Sequence, residues 1–263
     1  MQQVIYTLLN YINNSITHDT YYHIAMMILE QIDQIEHYSL EKMAMMCHVS
    51  PATMNRFCRQ VGYLNYSTFR KVVSYKETKI FDDQILDNNY LNSYSQAIFE
   101  FIETVNDLNL NLLDKVLACL NSHKRILAMG YGSYQNYALD LQKNFFSCGK
   151  FVEVYMDQIR QNDALATMTK EDVVIVTSLS GQYLKNSNLN VLKKIKQTGC
   201  SSILITFMSD STYLEPFDYV IQCGNIEKAY AGKYAIIRLY DLMASRYQQL
   251  YCPVIKEWTA QIM

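Results

Sequence analysis

Near the start of the chain, two short amphipathic patterns flank a tight turn. Leu40, Met43, Ala44 and Cys47 fall at i, i+3, i+4 and i+7, a single apolar stripe on one helix. Ser39 stands where that helix needs its N-cap. After the turn Cys47-His48-Val49-Ser50, the same spacing returns at Met54, Phe57, Cys58 and Val61. Ser50 is placed as the second N-cap, Pro51 occupies the first helical position, where a missing N–H costs nothing, and Gly62 is a natural stop. Burying both stripes leaves Ala52, Thr53, Asn55, Arg56 and Arg59 outward, with Ser50 at their base. Small groups for close approach, an amide and guanidiniums are the chemistry of a helix in a DNA major groove.

An ordinary pair of antiparallel helices would show the same spacing, so charge has to separate the two readings. From Thr53 to Lys79 there are six basic residues (Arg56, Arg59, Arg70, Lys71, Lys76 and Lys79) against the single acid Glu77. The whole chain has a net charge of −2, so the excess is local, as docking on phosphates requires.

The same pattern organises the remaining sequence. Residues 1–80 read as all helix, with Ile24, Met27, Ile28 and Ile35 before the helix pair and Phe69, Val72 and Val73 after it. Residues 81–92 lose periodicity and gather Asp and Asn, which marks a linker. Helical patterns resume from Tyr94 to Val105 and from Leu110 to Leu120. From Lys124 the texture changes to short β-rich runs: Ile126–Met129, Phe151–Tyr155, Val173–Thr177, Ser202–Phe207 and Tyr219–Gln222. Segments long enough for a crossover follow the first four, which predicts a five-stranded parallel sheet covered on both faces. A final helix is predicted from about Ala229 to Leu250. The expected organisation is a helix-turn-helix domain at 1–80, a linker at 81–92 and an α/β domain at 93–263.

Composition narrows the class. Half the 263 residues are hydrophobic and 18% charged, an ordinary globular balance. The seven cysteines are odd in number, far apart, and form no C-x-x-C or Cys/His cluster, so neither a disulfide framework nor a metal site is expected. No run of about 18 apolar residues occurs, and the N-terminus lacks the pattern of a signal peptide, so a cytoplasmic protein is expected.

Two of the predicted strand ends carry chemistry. The first runs into Gly130-Tyr131-Gly132-Ser133-Tyr134, the third into Ser178-Leu179-Ser180-Gly181-Gln182-Tyr183. Glycine lets a ligand approach the backbone, and hydroxyls beside backbone N–H groups make an anion cradle at the carboxyl ends of strands. Each loop alone is equally well a tight turn or a simple cap; two on one sheet favour a phosphorylated ligand. A dinucleotide site is not expected, because Gln135 stands where the third glycine of G-x-G-x-x-G belongs, and no P-loop is present.

These residues carry a resemblance. The segment Val49 to Tyr63, with its V-S-x-A-T-x-x-R-F-C-x-x-x-G-Y pattern, resembles the recognition-helix region of the RpiR-type bacterial transcription regulators. Ser178 to Gly181 resembles the phosphate loop of the SIS (sugar isomerase) domain that follows the helix-turn-helix in that family. The resemblance implies operator binding as a homodimer or homotetramer, with Thr53, Asn55 and Arg56 facing DNA. It also implies a sugar-phosphate effector held by Ser178 and Ser180. Tyr134 and Tyr183 stand where the family usually has serine and threonine.

An isomerase would need a placed base. All five histidines precede the expected sheet, and none of Glu153, Asp157, Asp163, Glu171 and Glu215 can be assigned to a site from sequence. No catalytic residue and no cofactor is expected. The alternatives to an effector-responsive regulator are a sugar-phosphate isomerase with an appended helical domain, and a regulator whose SIS domain serves only as a dimerisation scaffold.

Overall fold

A computed structural model of the chain describes residues 2–74, 88–132, 134–185 and 190–252. Ser133, the linker residues 81–87, Lys76 and Lys79 lie outside the described residues. Two compact units form.

The N-terminal unit contains helices α1 (Gln2–Asn14), α2 (Thr20–Glu30), α3 (Leu40–Met46), α4 (Pro51–Gln60) and α5 (Tyr66–Ser74), with a 3₁₀ turn at Ile32–His37. The expected stripes converge on one core: Met43, Ala44, Met54, Phe57, Cys58 and Val61 are buried, and Leu40 and Cys47 pack at its edge. Phe57 meets the rings of Tyr11 and Tyr21 edge-on, with centroids 5.9 and 5.7 Å away. Truncating a ring packed in this way costs about 3–5 kcal/mol, so Phe57 anchors α4 by its inner face.

The second unit begins with α6 (Asn88–Asn106). The last five positions expected as linker, 88–92, are therefore helical: Asp and Asn there lower helix propensity, but propensity is a weak prior beside the packing of Ala97, Phe101 and Val105 into the core. After α7 (Leu110–Ser122), strands and helices alternate: β1 (Arg125–Gly130), α8 (Tyr134–Ser147), β2 (Val152–Val154), α9 (Gln158–Ala166), β3 (Asp172–Thr177), α10 (Gln182–Lys185), α11 (Val191–Thr198), β4 (Ser201–Thr206), α12 (Ser211–Leu214) and β5 (Tyr219–Gln222). A 3₁₀ turn at Ile226–Ala231 leads into the closing helix α13 (Lys233–Tyr251).

All pairings are parallel, in the order β2-β1-β3-β4-β5. Alternation along each strand sorts the apolar side chains. Ile126, Ala128, Val173, Ile175, Ile203 and Ile205 enter the core shared with α6, α7, α8 and α13. Leu127, Met129, Val174, Val176 and Leu204 enter a second core on the opposite face with α9, α10 and α11. From β1 the chain goes to β2 on one side and then crosses to β3 on the other. The carboxyl ends of β1 and β3 thus bound the switch point, where open parallel sheets leave a crevice.

Candidate nucleic-acid interface and ligand crevice

Each element of the helix pair is held where its sequence implies. Ser39 Oγ accepts the Lys42 N–H at 3.2 Å, and Ser50 Oγ accepts the Thr53 N–H at 3.1 Å. The turn between them closes through His48, a non-glycine residue at φ 54°. Helix α4 stops in a Schellman arrangement: the Tyr63 N–H reaches Cys58 O at 2.8 Å and the Gly62 N–H reaches Arg59 O at 3.1 Å, with Gly62 at φ 100°. Ala52, Arg56 and Arg59 are exposed, and Thr53 is half-buried with its hydroxyl 2.9 Å from Ser50 Oγ. These residues share the outer face of α4.

Asn55 is placed differently from the free groove-reading amide expected of it. It is half-buried, and its Oδ1 accepts the Tyr66 N–H at 2.9 Å, fastening α4 to the first turn of α5. Only its amide nitrogen remains for a base or phosphate. Arg70 also departs from the expected basic patch, since its guanidinium donates to Tyr38 O at 3.0 Å. Helix α5 is therefore tied at its first residue and at its middle, and it braces α4.

In the α/β unit, Gly130 ends β1 in a confined place, where a Cβ would come within 3.1 Å of Gln135 Oε1. Gln135 is buried and its Nε2 donates to Ala128 O at 2.7 Å, so the would-be third glycine of a dinucleotide turn instead pins α8 to β1. Gly132 has φ 58°, and Tyr134, half-buried at the start of α8, has its phenol pushed up to about 12 by burial. At neutral pH that phenol is a neutral donor.

The second loop is stitched to the end of β4. The Ser178 N–H donates to Ile205 O at 3.0 Å, Thr206 Oγ1 donates to Ser178 O at 2.8 Å, and the Phe207 N–H donates to Leu179 O at 3.1 Å. Ser178 is buried with its backbone committed, and Ser180 in the same loop is half-buried. Gly181 is buried at φ 78°, and a Cβ there would lie 2.0 Å from Met208 Sδ, so only glycine fits. Gln182 is exposed.

Tyr183, grouped from sequence with the effector residues, has its side chain turned into the core. It is 2% exposed, and its hydroxyl donates to Gln161 Oε1 at 2.8 Å. Burial raises the phenol's pKa above its ordinary value, which keeps it protonated. The same Gln161 Oε1 accepts the Gly130 N–H at 3.2 Å, and Gln161 Nε2 donates to Tyr155 O at 2.7 Å. One buried amide thus joins the end of β1, the segment after β2 and helix α10. Gln161 escaped the sequence reading, although it sits on the apolar stripe with Ala164 and Leu165, where a buried glutamine signals a polar junction.

Of the groups an isomerase would draw on, Asp157 is half-buried in the segment between β2 and α9. Glu153 is bound by Arg125 in a bidentate pair at 2.6 and 2.9 Å, while Asp163, Glu171 and Glu215 are exposed. His123 faces the amino-terminal end of β4, 3.1 Å from Ser201 Oγ, whereas the two loops follow the carboxyl ends of β1 and β3. Among the described residues no helix is long and apolar enough to cross a membrane, and no group of three or more His, Cys, Asp or Glu is gathered to hold a metal ion.

Comparison with known proteins matches both units. The family model "Helix-turn-helix domain, rpiR family" covers residues 6–78, and the SIS domain model covers residues 119–252. An uncharacterised helix-turn-helix-type transcriptional regulator of Haemophilus influenzae is 29% identical over 216 residues, 77% of this chain and 74% of that protein. The transcriptional regulator HexR of Escherichia coli is 26% identical over 167 residues, 60% of this chain and 58% of that protein. Among solved structures, the Vibrio vulnificus NanR protein complexed with ManNAc-6P superposes with a TM-score of 0.56 at 16% identity, covering 98% of this chain and 97% of that one.

Proposed function

Because this chain belongs to the RpiR-type transcription regulators, a helix-turn-helix joined to a SIS domain, we propose that it binds operator DNA through α4 and senses a phosphorylated sugar at the β1–β3 crevice. The observation that carries this reading is the division of labour in the two units. The outer face of α4 presents exposed Arg56 and Arg59 on a helix anchored by Phe57, and the Ser178–Gly181 loop leaves hydroxyls at a switch point. Arg56 and Arg59 supply contacts to phosphate or guanine, Ala52 permits close approach, and Ser50 with Thr53 sets the helix start. In the crevice, Ser178 and Ser180 take the phosphate, with Gly130, Gly132, Tyr134 and Gln182 around it. The protein works in the cytoplasm, where its DNA is, as a homodimer or homotetramer. In this reading it is a regulator and not an isomerase, supported by its likeness to helix-turn-helix-type transcriptional regulators.

A second reading, that the SIS domain is only a scaffold, draws support from Tyr183, whose side chain is spent on Gln161. Thermal melting with a panel of hexose and pentose phosphates, N-acetylmannosamine 6-phosphate included, separates the two. The sensor reading expects one phosphorylated sugar to raise Tm where its unphosphorylated parent does not, and expects Ser178→Ala to remove the rise. A panel without any shift favours the scaffold.

A further inference from the structure

The seven cysteines are all free thiols, and four of them (Cys58, Cys119, Cys200 and Cys223) are buried. Cys47, Cys148 and Cys252 are half-buried and each stands where a helix ends, but only Cys148 and Cys252 end helices that pack on each other, α8 and α13 of the α/β unit. Cys148 closes α8, with its N–H on Phe145 O at 3.0 Å, and Cys252 closes α13, with its N–H on Gln248 O at 3.0 Å.

The two helix ends are brought together by packing. Phe145, one turn before Cys148, stacks on Tyr247, one turn and a half before Cys252, with centroids 4.3 Å apart and planes at 28°. Tyr247 is itself 2% exposed and held by Asn121 Oδ1 at 2.8 Å, so the stack is fixed from a third side by the end of α7. The helices therefore end side by side, with the Cys148 and Cys252 side chains near enough to act on each other. Half-buried thiols held against each other at the ends of two rigid helices have a high effective concentration for closing a bond.

We infer that Cys148 and Cys252 form an oxidation site, which a two-electron oxidant of the peroxide class closes to an intramolecular disulfide. One sulfur attacks peroxide and becomes a sulfenic acid with loss of water. The other sulfur then displaces that hydroxyl as a second water, so two S–H bonds are replaced by one S–S bond and the peroxide is reduced to two waters. Burial, with the neighbouring thiol second, pushes the Cys252 thiol up to about 11, so at neutral pH Cys252 rests as a thiol. The bond ties the far end of α8, whose near end carries the Gly130–Tyr134 loop, to α13. Because it closes a long loop of chain, the linked form is the more stable one.

The test uses the full chain, reduced, freed of reductant and treated with hydrogen peroxide, then alkylated with N-ethylmaleimide. The expected product carries two fewer alkyl groups than the reduced protein, yields a peptide pair linked through Cys148 and Cys252, and melts several degrees higher. Dithiothreitol should reverse both changes. Cys252→Ser and Cys148→Ser should each abolish the linked peptide and the rise in Tm while melting like the wild type when reduced. Alkylation of both residues after peroxide, oxidation of either one alone, or linkage through other cysteines would overturn the inference.

Discussion

His48 holds the turn of the helix pair at φ 54°, a left-handed conformation in which a side chain costs about 1–2 kcal/mol and glycine nothing. It is exposed, so replacement removes no packing. His48→Gly should therefore raise stability by about 0.5–1 kcal/mol, after the added freedom of the unfolded chain is set against the relieved strain. Thermal melting checks it, and a lower Tm would show that the imidazole makes a compensating contact. Asn55 and Tyr183 show where single residues stop being legible. Both were assigned from their position in a motif, and motif position gives the face of a helix but not the partner of a side chain. The Asn55 carbonyl is taken by Tyr66 N–H, eleven residues on, and the Tyr183 hydroxyl by Gln161, twenty-two residues back. The caps Ser39 and Ser50 were legible because their partners lie three residues away.

Between elements, Gln161 of α9 ties together the end of β1, the segment after β2 and helix α10. Gln161→Ala would leave the Gly130 N–H, the Tyr155 carbonyl and the Tyr183 hydroxyl without their buried partner. Each such group costs about 1–3 kcal/mol, so the loss should exceed about 3 kcal/mol, whereas Tyr183→Phe, which removes a single bond, should cost about 1 kcal/mol. Urea melts of the two variants measure the difference; equal losses would mean that Gln161 acts only through Tyr183. At the other edge, α7 and α13 are joined by Asp114 and Arg246, in a bidentate pair at 2.8 Å for both contacts. The hydrogen bond from Arg246 lowers the Asp114 pKa from its ordinary value. A carboxylate with a lowered folded pKa adds stability above its unfolded pKa and loses it as pH falls through the folded one. Asp114→Asn should thus be slightly less stable than wild type at pH 7, and the gap should close as pH drops below about 4. A gap that persists at pH 2 would assign the effect to packing. The five strands were legible to within a residue or two because short runs of apolar and β-branched residues, buried on both faces of a parallel sheet, are a local signal. The start of α6 was not, since Asn88 to Leu91 become helical through burial of Ala97 and Phe101 further along.

For the whole molecule, a sugar phosphate can alter DNA affinity only by binding the DNA-competent and incompetent arrangements unequally. The α/β unit contains a continuous contact on which such a difference could act. Leu179 of the Ser178–Gly181 loop bonds through its carbonyl to Phe207, and Phe207 stacks on Phe101 of α6 with centroids 5.0 Å apart. Gly224 makes the stack possible, since a Cβ there would lie 2.3 Å from the Phe101 ring. In the sequence α6 is the first element after the segment that leaves the helix-turn-helix unit. The central claim is that α4 binds DNA and the crevice modulates it. The most direct measurement is binding of the full chain to the DNA flanking its own gene, at fixed salt, with and without the phosphosugar panel, alongside Arg56→Ala. The expected result is specific binding that one phosphosugar shifts, and that Arg56→Ala weakens with a salt dependence shallower by about one counterion. Specific binding unchanged by Arg56→Ala and indifferent to every sugar phosphate would contradict both halves of the claim.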